Sequence, residues 1–424
     1  MTERIAGAPP GGVTLLATGA PDPLGAAAAA AAFLALVATL PGPIAPMGIA
    51  TALCVALTLV RFLLVPDPGR AGGRRRPWPR TPVDRAAIAW FAALVLASAF
   101  AHDPAASFPR VAKGLMPALV GLAAYHAAAG RAGRRALAVY LAAAGIAAAF
   151  GLAAWLNAGA SGAWRARGLS HHYMTYGGQL LLELPVALAV ALTARSPRWR
   201  WGAGAVAALV ALSLAATFTR SAWLGAFVAV AVVATAFRPW ALAVLAAGAV
   251  AAWTLAAGEW RERLHSMVDP RHGYNGERLL MWGAGLRMFL TDPLTGVGLQ
   301  DMRAVYPAYR SPLATEEVGH LHNTLVQIGA SMGLAGLAAF AWLYASLVRA
   351  AAAGLRVARG LPARLRAGGE SAGLRLGVVA ALAGFLVAGV FEWNFGDEEL
   401  LYQLYVLVGL AWASRSWEDE RPGP

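Results

Sequence analysis

Apolar runs that each approach the length of a bilayer crossing recur from residue 24 to residue 413, and they constrain this chain more than any other feature. A transmembrane helix needs about 20 predominantly apolar residues. Twelve segments reach or approach that length: 24–40, 44–65, 86–101, 114–129, 136–156, 178–194, 202–218, 222–237, 240–257, 322–347, 376–391 and 399–413. Of the 424 residues, 58% are hydrophobic and 13% charged, whereas a soluble domain carries about 25% charged residues. No heptads and no Gly-X-Y period organise the runs, which excludes a coiled coil and collagen. The sequence predicts an all-α polytopic membrane protein of about 12 transmembrane helices. Its expected plan is a cytoplasmic segment 1–23, helices one to nine within 24–257, an external loop 258–321, helices ten to twelve within 322–413, and a cytoplasmic tail 414–424. No cleaved signal peptide is expected, because no basic region precedes a short apolar core and cleavage site.

The net charge of +13 would suggest nucleic acid in a soluble protein. Here the basic residues flank spans, and no nucleic acid partner is expected; they hold cytoplasmic loops against anionic lipid instead. Lys113 is the single lysine, and the excess of Arg, Ala and Gly is that of GC-rich bacterial coding. Alternation of the spans sorts the loops into two sets. One holds about 23 of the 35 basic residues, which makes it the cytoplasmic side and places both termini there. The other faces the periplasm or exterior and includes 258–321. Within that loop, residues 277–290 put Leu279, Trp282, Leu286, Phe289 and Leu290 on one face at helical spacing. Such a helix lies in the membrane interface, with Arg278 flanking its apolar face and Arg287 opposite. Asp292-Pro293 ends it, and Gly296 and Gly298 suit a tight turn. Cys54 falls in a span and has no second cysteine to pair with.

Four polar clusters fall on the expected external side. Arg220 follows Thr219 between two spans; it either snorkels to the headgroups or contacts an anion, since a guanidinium matches phosphate oxygens bidentately. Arg278 is either a routine flanking charge or a contact for a lipid-linked phosphate at headgroup depth. His320, His322 and Asn323 open span ten, as a helix cap or as a site where an imidazole serves as general base for a hydroxyl. On a helix the two histidines face different ways, and neighbouring residues offer no further zinc ligand, so no metal is expected. The segment Glu392–Glu399, with Asn394 and Asp397, is either a solvated turn or the rim of a sugar site. Arg165 and His171 belong to a further external loop.

Together these words resemble a family. The run Thr219-Arg220-Ser221-Ala222-Trp223, then Glu277-Arg278 and Trp282, then Asp292-Pro293-Leu294-Thr295-Gly296-Val297-Gly298, then His322-Asn323-Thr324-Leu325-Val326-Gln327 and Gly333-Leu334-Ala335-Gly336 is similar to the O-antigen ligase and O-antigen polymerase superfamily in order and spacing. The resemblance covers about 205–345, with looser agreement near 389–412. It implies a lipid-sugar-dependent (GT-C-like) glycosyltransferase in the bacterial inner membrane, acting on its periplasmic face without cofactor. The implied donor is a glycan on undecaprenyl diphosphate. The implied acceptor is a sugar of lipid A–core for a ligase, completing lipopolysaccharide, or a second lipid-linked repeat for a polymerase; overall resemblance favours the ligase. A monomer or weak oligomer among membrane lipids is expected.

The residues fit that chemistry. A diphosphate leaves as a stable anion and needs positive charge more than a general acid, for which Arg220 and Arg278 are the candidates. A sugar hydroxyl is a weak nucleophile and needs a base: His322, with His320 in reserve. In-line attack inverts the anomeric centre. Asn323, Glu392, Asn394, Asp397, Arg165 and His171 are the further candidate substrate contacts. The competing class is a carrier or flippase, which requires ionisable groups at mid-membrane depth; Glu183, beside Pro185 in span six, is the one clear candidate.

Overall fold

A computed structural model describes residues 23–64, 78–269, 273–355 and 361–417. The expected segment 1–23 and most of the Arg-rich 61–85 loop therefore lie outside the described residues, as does the end of the tail. All regular structure described is helical, as the apolar runs require, since a lipid-exposed backbone must satisfy its own hydrogen bonds. The first half comprises α1 (Pro23–Thr39), α2 (Ile44–Leu64), α3 (Asp84–Ala99), α4 (Pro104–Ser107), α5 (Leu119–His126), α6 (Gly130–Asn157), α7 (Tyr173–Thr193), α8 (Pro197–Ala216) and α9 (Arg220–Phe237). The second comprises α10 (Ala241–Leu255), α11 (Gly258–His265), α12 (Gly273–Thr291), α13 (Met302–Tyr309), α14 (Thr324–Ala352), α15 (Leu361–Gly368), α16 (Glu370–Ala388) and α17 (Glu398–Ala413).

Each expected span coincides with a helix, but the helices are not equal. Among the described residues seven are long and apolar enough to cross a membrane: α2, α6, α7, α8, α9, α14 and α16. The pair α10 and α11, bent by 118°, makes an eighth if taken as one span. Helices α1, α3 and α17 have 16 or 17 residues, about 25 Å at 1.5 Å per residue. The run 114–129 is not one continuous α-helix. A 3-10 helix, Phe108–Ala118, leads into α5, because Pro109 and Pro117 remove amide donors that a longer α-helix would use.

Helices α7 and α16 pack at the centre and carry the most completely buried spans. Their approach rests on small residues: a side chain on Gly377 would strike the backbone of Pro185 and Val186, and Gly225 of α9 faces Gly384 of α16 backbone to backbone. Close contact at glycine is how helices associate when lipid supplies no hydrophobic contrast. Glu183 is buried here, with Gln403 Nε2 donating to its Oε1 at 3.3 Å and to Tyr140 Oη at 2.7 Å. This bonding joins α6, α7 and α17.

Loops expected on one side of the membrane meet one another. At one end Trp417 Nε1 donates to Ala127 O at 2.7 Å, and Arg195 donates to Ala367 O. The opposite end gathers 40–43, 158–172, 217–219, the 256–323 excursion and 389–397. Within the excursion, α12 forms as expected but starts earlier, at Gly273. Its Met281, Ala284, Gly285 and Met288 are buried, while Leu279, Leu286 and Leu290 are exposed. That split suits a helix seated on protein with an apolar edge turned to lipid.

The segment after α12 explains its own sequence. Helix α14 is broken at Gly333, whose φ of 59° and ψ of −154° are not helical. Pro293–Gly298 threads into the break. Val297 N and Gly298 N donate to the carbonyls of Ala330 (2.9 Å) and Ser331 (3.1 Å), and Leu334 N and Ala335 N donate to those of Pro293 (2.8 Å) and Leu294 (3.1 Å). Backbone groups freed by the break are thus satisfied by a neighbouring loop, the condition for irregular backbone inside a membrane protein. Gly296, at φ 69°, and Gly333 each lie where a Cβ would strike the partner's backbone. Gly333→Ala is expected to lower stability by about 1–3 kcal/mol, read as a drop in melting temperature in detergent; an unchanged melting temperature would show that the break tolerates a side chain.

Candidate active site

Three short devices bring distant residues to one cavity of about 550 Å³ at the end of the bundle. The first is the turn from α8 to α9. Thr217 Oγ1 donates to Leu214 O and accepts from Thr219 N, while Phe218 takes a φ of 49°. The chain reverses in three residues and leaves Arg220 as the first residue of α9. The Phe218 ring packs at 4.3 Å from Trp260, which lies 11° from parallel with Trp223. The second device is the start of α14, where His322 has a φ of 46° and Asn323 caps the helix by accepting from Val326 N at 3.0 Å. The third is the turn between α16 and α17, which carries Glu392, Asn394 and Asp397.

Glu392 is the node of the site. Its carboxylate accepts from His322 Nδ1 at 3.1 Å and from the backbone of Trp393 at 3.1 Å, and Arg278 NH2 stands 3.6 Å away. Burial alone would raise this carboxyl. The His322 hydrogen bond and the charges of His322, His320 and Arg278 outweigh it and hold the group below the ordinary carboxylate range. An ionised carboxylate can only accept, so Nδ1 of His322 carries the proton and Nε2 is left as the basic nitrogen. The His320 ring lies 4.2 Å from that of His322, and burial lowers its pKa against the opposing pull of the Glu392 carboxylate. The two histidines do not face different ways, as a helix would require: residues 320–323 precede α14 and are not helical.

Opposite this node stand guanidinium groups. Arg220 is 9% exposed and donates to Ser266 O at 2.6 Å and Ser266 Oγ at 3.1 Å. Arg263 donates to Phe218 O at 2.7 Å, and Arg165 lies over the Tyr173 ring at 4.5 Å. Among the described residues none of these three has a carboxylate within ion-pair distance. Arg220 is buried and Arg165 and Arg263 half-buried, and cations so placed are costly unless an anion completes them. Asp397 does not complete them: burial lifts its carboxyl to about 7, although Thr175 Oγ1 donates to it at 2.7 Å.

Arg220, Arg278, His320, His322, Glu392, Asn394, Asp397 and Arg165 all line the cavity. Two expected contacts do not. Asn323 spends its side chain on the α14 cap, and the exposed His171 gives way to His172, which lines the cavity and accepts from Met174 N at 3.2 Å. Glu392 serves the histidines and Arg278 rather than an open sugar rim. Glu277 bonds Thr315 at 2.7 Å instead of its neighbour Arg278. Arg263 and Thr175 were missed; the density of charge in Gly258–His265 was the one signal for the former. The expectation about metals rested on sequence neighbours, but Glu392 joins His320 and His322 from 70 residues away, with ligand atoms within 4.8 Å of one another. Arg278 beside the carboxylate makes the cluster a poor cation site on charge grounds.

The fold is that of a polytopic helical membrane protein of the GT-C-like kind, with an arginine-lined cavity at one end. Residues 205–341 match the model of the O-antigen ligase family. The match runs from α8 into α14 and so includes Arg220, Arg278, His320, His322 and the broken helix, and it supports an activity of the O-antigen ligase or polymerase type. No curated protein matches the chain. Glu392→Ala would leave Arg278 and His322 unpartnered and is expected to lower stability by on the order of 2 kcal/mol, with a smaller loss for Glu392→Gln. Equal melting temperatures for the two variants would remove the charge from the explanation.

Proposed function

We propose that the chain is a ligase that moves a glycan from undecaprenyl diphosphate to a sugar hydroxyl of lipid A–core at the periplasmic face of the bacterial inner membrane. The observation that carries the reading is three guanidiniums lining one cavity without carboxylate partners, facing a histidine whose proton is fixed by Glu392. Arg220, with Arg165 and Arg263 beside it, binds the diphosphate and stabilises the charge that grows as the glycosidic bond breaks. His322 Nε2 takes the proton of the attacking hydroxyl, and Glu392 orients the ring and favours the imidazolium that forms, as a carboxylate does beside a catalytic histidine. The new bond forms at the anomeric carbon as the bond to the diphosphate oxygen breaks, with inversion for in-line attack. Arg278 touches both halves: it neighbours Glu392 and also lines a groove of about 250 Å³ with Arg220, Leu224, Val268, Trp282 and Phe391. That apolar groove suits the polyprenyl chain of the donor. The carrier reading rests on Glu183, whose Oε1 accepts from Gln403 and whose Oε2 is buried without a partner, whereas the charged groups lining the cavity gather at one end of the bundle.

Purified full chain given undecaprenyl-diphosphate glycan, with and without lipid A–core, tests this. Glycan appearing on lipid A–core is expected; longer lipid-linked chains without that acceptor would instead establish a polymerase. Arg220→Ala should lower transfer by about 100-fold or more, with Arg220→Lys restoring only part because the planar fork is lost. His322→Ala should be nearly inactive. Glu392, held below the carboxylate range, should add no ionisation between about pH 5 and pH 9. Substantial transfer by His322→Ala would make His322 a positioning residue.

A further inference from the structure

A second chamber, of about 290 Å³, lies behind the cavity and shares a wall with it: His320, Trp393 and Gly396 line both. Its composition differs from that of its neighbour. Trp90, Trp393 and Phe395 supply aromatic surface, with Phe395 edge-on to Trp90 at 5.6 Å between ring centroids. Most polar groups around it are already used by the fold. Gln300 accepts from Ser107 Oγ and donates to Val297 O, each at 2.8 Å, and Gln327 accepts from Leu321 N and donates to Ser331 Oγ. Asp301 is paired with Arg303, and Lys113 with Glu398 at 2.7 Å.

Two groups are left over. Arg110 commits one nitrogen to Ala106 O at 2.6 Å and has no carboxylate partner among the described residues. His320 Nδ1, in the shared wall, is buried with no hydrogen-bond partner, the Glu392 carboxylate standing 3.8 Å away. An aromatic floor with few free polar groups is how a pyranose is held by its C–H face, and a free guanidinium at its edge selects a negative substituent.

We propose that this chamber is the acceptor subsite, and that it takes a saccharide bearing an anionic group, a phosphate or a carboxylate, which Arg110 binds. The inference rests on the glycosyl-transfer reading above. The sugar lies against Trp393 and Phe395 and accepts or donates a hydrogen bond at His320 Nδ1. One hydroxyl passes the shared wall to His322, while the donor diphosphate occupies the arginine side of the first cavity. Donor and acceptor thus enter from opposite sides of the Glu392 turn, which sets the attacking oxygen against the leaving diphosphate. Lys113, paired with Glu398, also lines the chamber.

The test is steady-state transfer by the full chain in lipid nanodiscs, varying lipid A–core at saturating undecaprenyl-diphosphate glycan and then the reverse. Arg110→Ala is expected to raise the acceptor KM about tenfold and to leave the donor KM within about twofold, while Arg110→Lys recovers part of the loss. Phosphatase-treated acceptor given to the wild type should reproduce the Arg110→Ala acceptor KM, and the variant should no longer distinguish treated from untreated acceptor. If carboxylates are the group read, amidation of the acceptor carboxylates gives that result and phosphatase does not. Gly319→Phe provides a variant independent of charge. A Cβ there meets nothing closer than 3.9 Å, so the ring fills the chamber and should weaken acceptor use alone. A raised donor KM in Arg110→Ala, or equal use of charged and neutralised acceptors by the wild type, would overturn the inference while leaving the ligase reading standing. No transfer by the wild type to any saccharide would overturn the ligase reading and this inference with it.

Discussion

One buried carboxylate organises the end of this bundle. Glu392 joins the helix of the long loop, through Arg278, to the start of α14, through His322, and to its own turn, through the backbone of Trp393. Thr324 Oγ1 also donates to its carbonyl at 3.1 Å. Removing a charge from water is expensive, and the desolvation is offset only when hydrogen bonds and opposite charge are both supplied. These partners come from three segments, so the carboxylate can be satisfied only when α12, α14 and the α16–α17 turn are all in place. The site is therefore assembled by the same contact that holds it.

The second organising constraint is the backbone. A helix broken at Gly333 inside the bundle exposes amides and carbonyls that lipid cannot satisfy. The loop that follows α12 supplies them and is thereby fixed in path. That path sets where α12 ends and hence where Arg278 stands. Two runs of glycine-rich sequence 35 or so residues apart are in this way halves of one joint.

Periodicity and hydropathy carried most of the fold. The apolar runs coincide with helices, α12 being legible from its spacing instead, and some of the described loops assigned to one side by arginine meet in space. Lengths were less legible, because a 16-residue helix is as apolar on average as a full span, and the apolar run 114–129 straddles the junction of a 3-10 segment with α5. Arg220, Arg278 and His322 could be singled out because a charge beside hydrocarbon is costly and needs a reason. Their grouping with Glu392 could not, since nothing local says that residue 392 returns to residue 322. The orientation of the two histidines was misread because a helical geometry was applied to a segment that only later becomes helix. Asn323 shows the converse: its capping role is local and is what its position before an apolar run implies.

Phe218 and His322 share a backbone conformation that large side chains avoid, at φ 49° and 46°, and each stands just before the capping residue of a membrane helix. Left-handed geometry costs about 1–2 kcal/mol for an ordinary residue and little for glycine. The backbone at 322 alone would favour glycine, yet the bond from His322 Nδ1 to the buried Glu392 offsets that strain. The left-handed turn and the ion cluster are thus tied together: the residue that strains the chain is also the one that satisfies its buried charge.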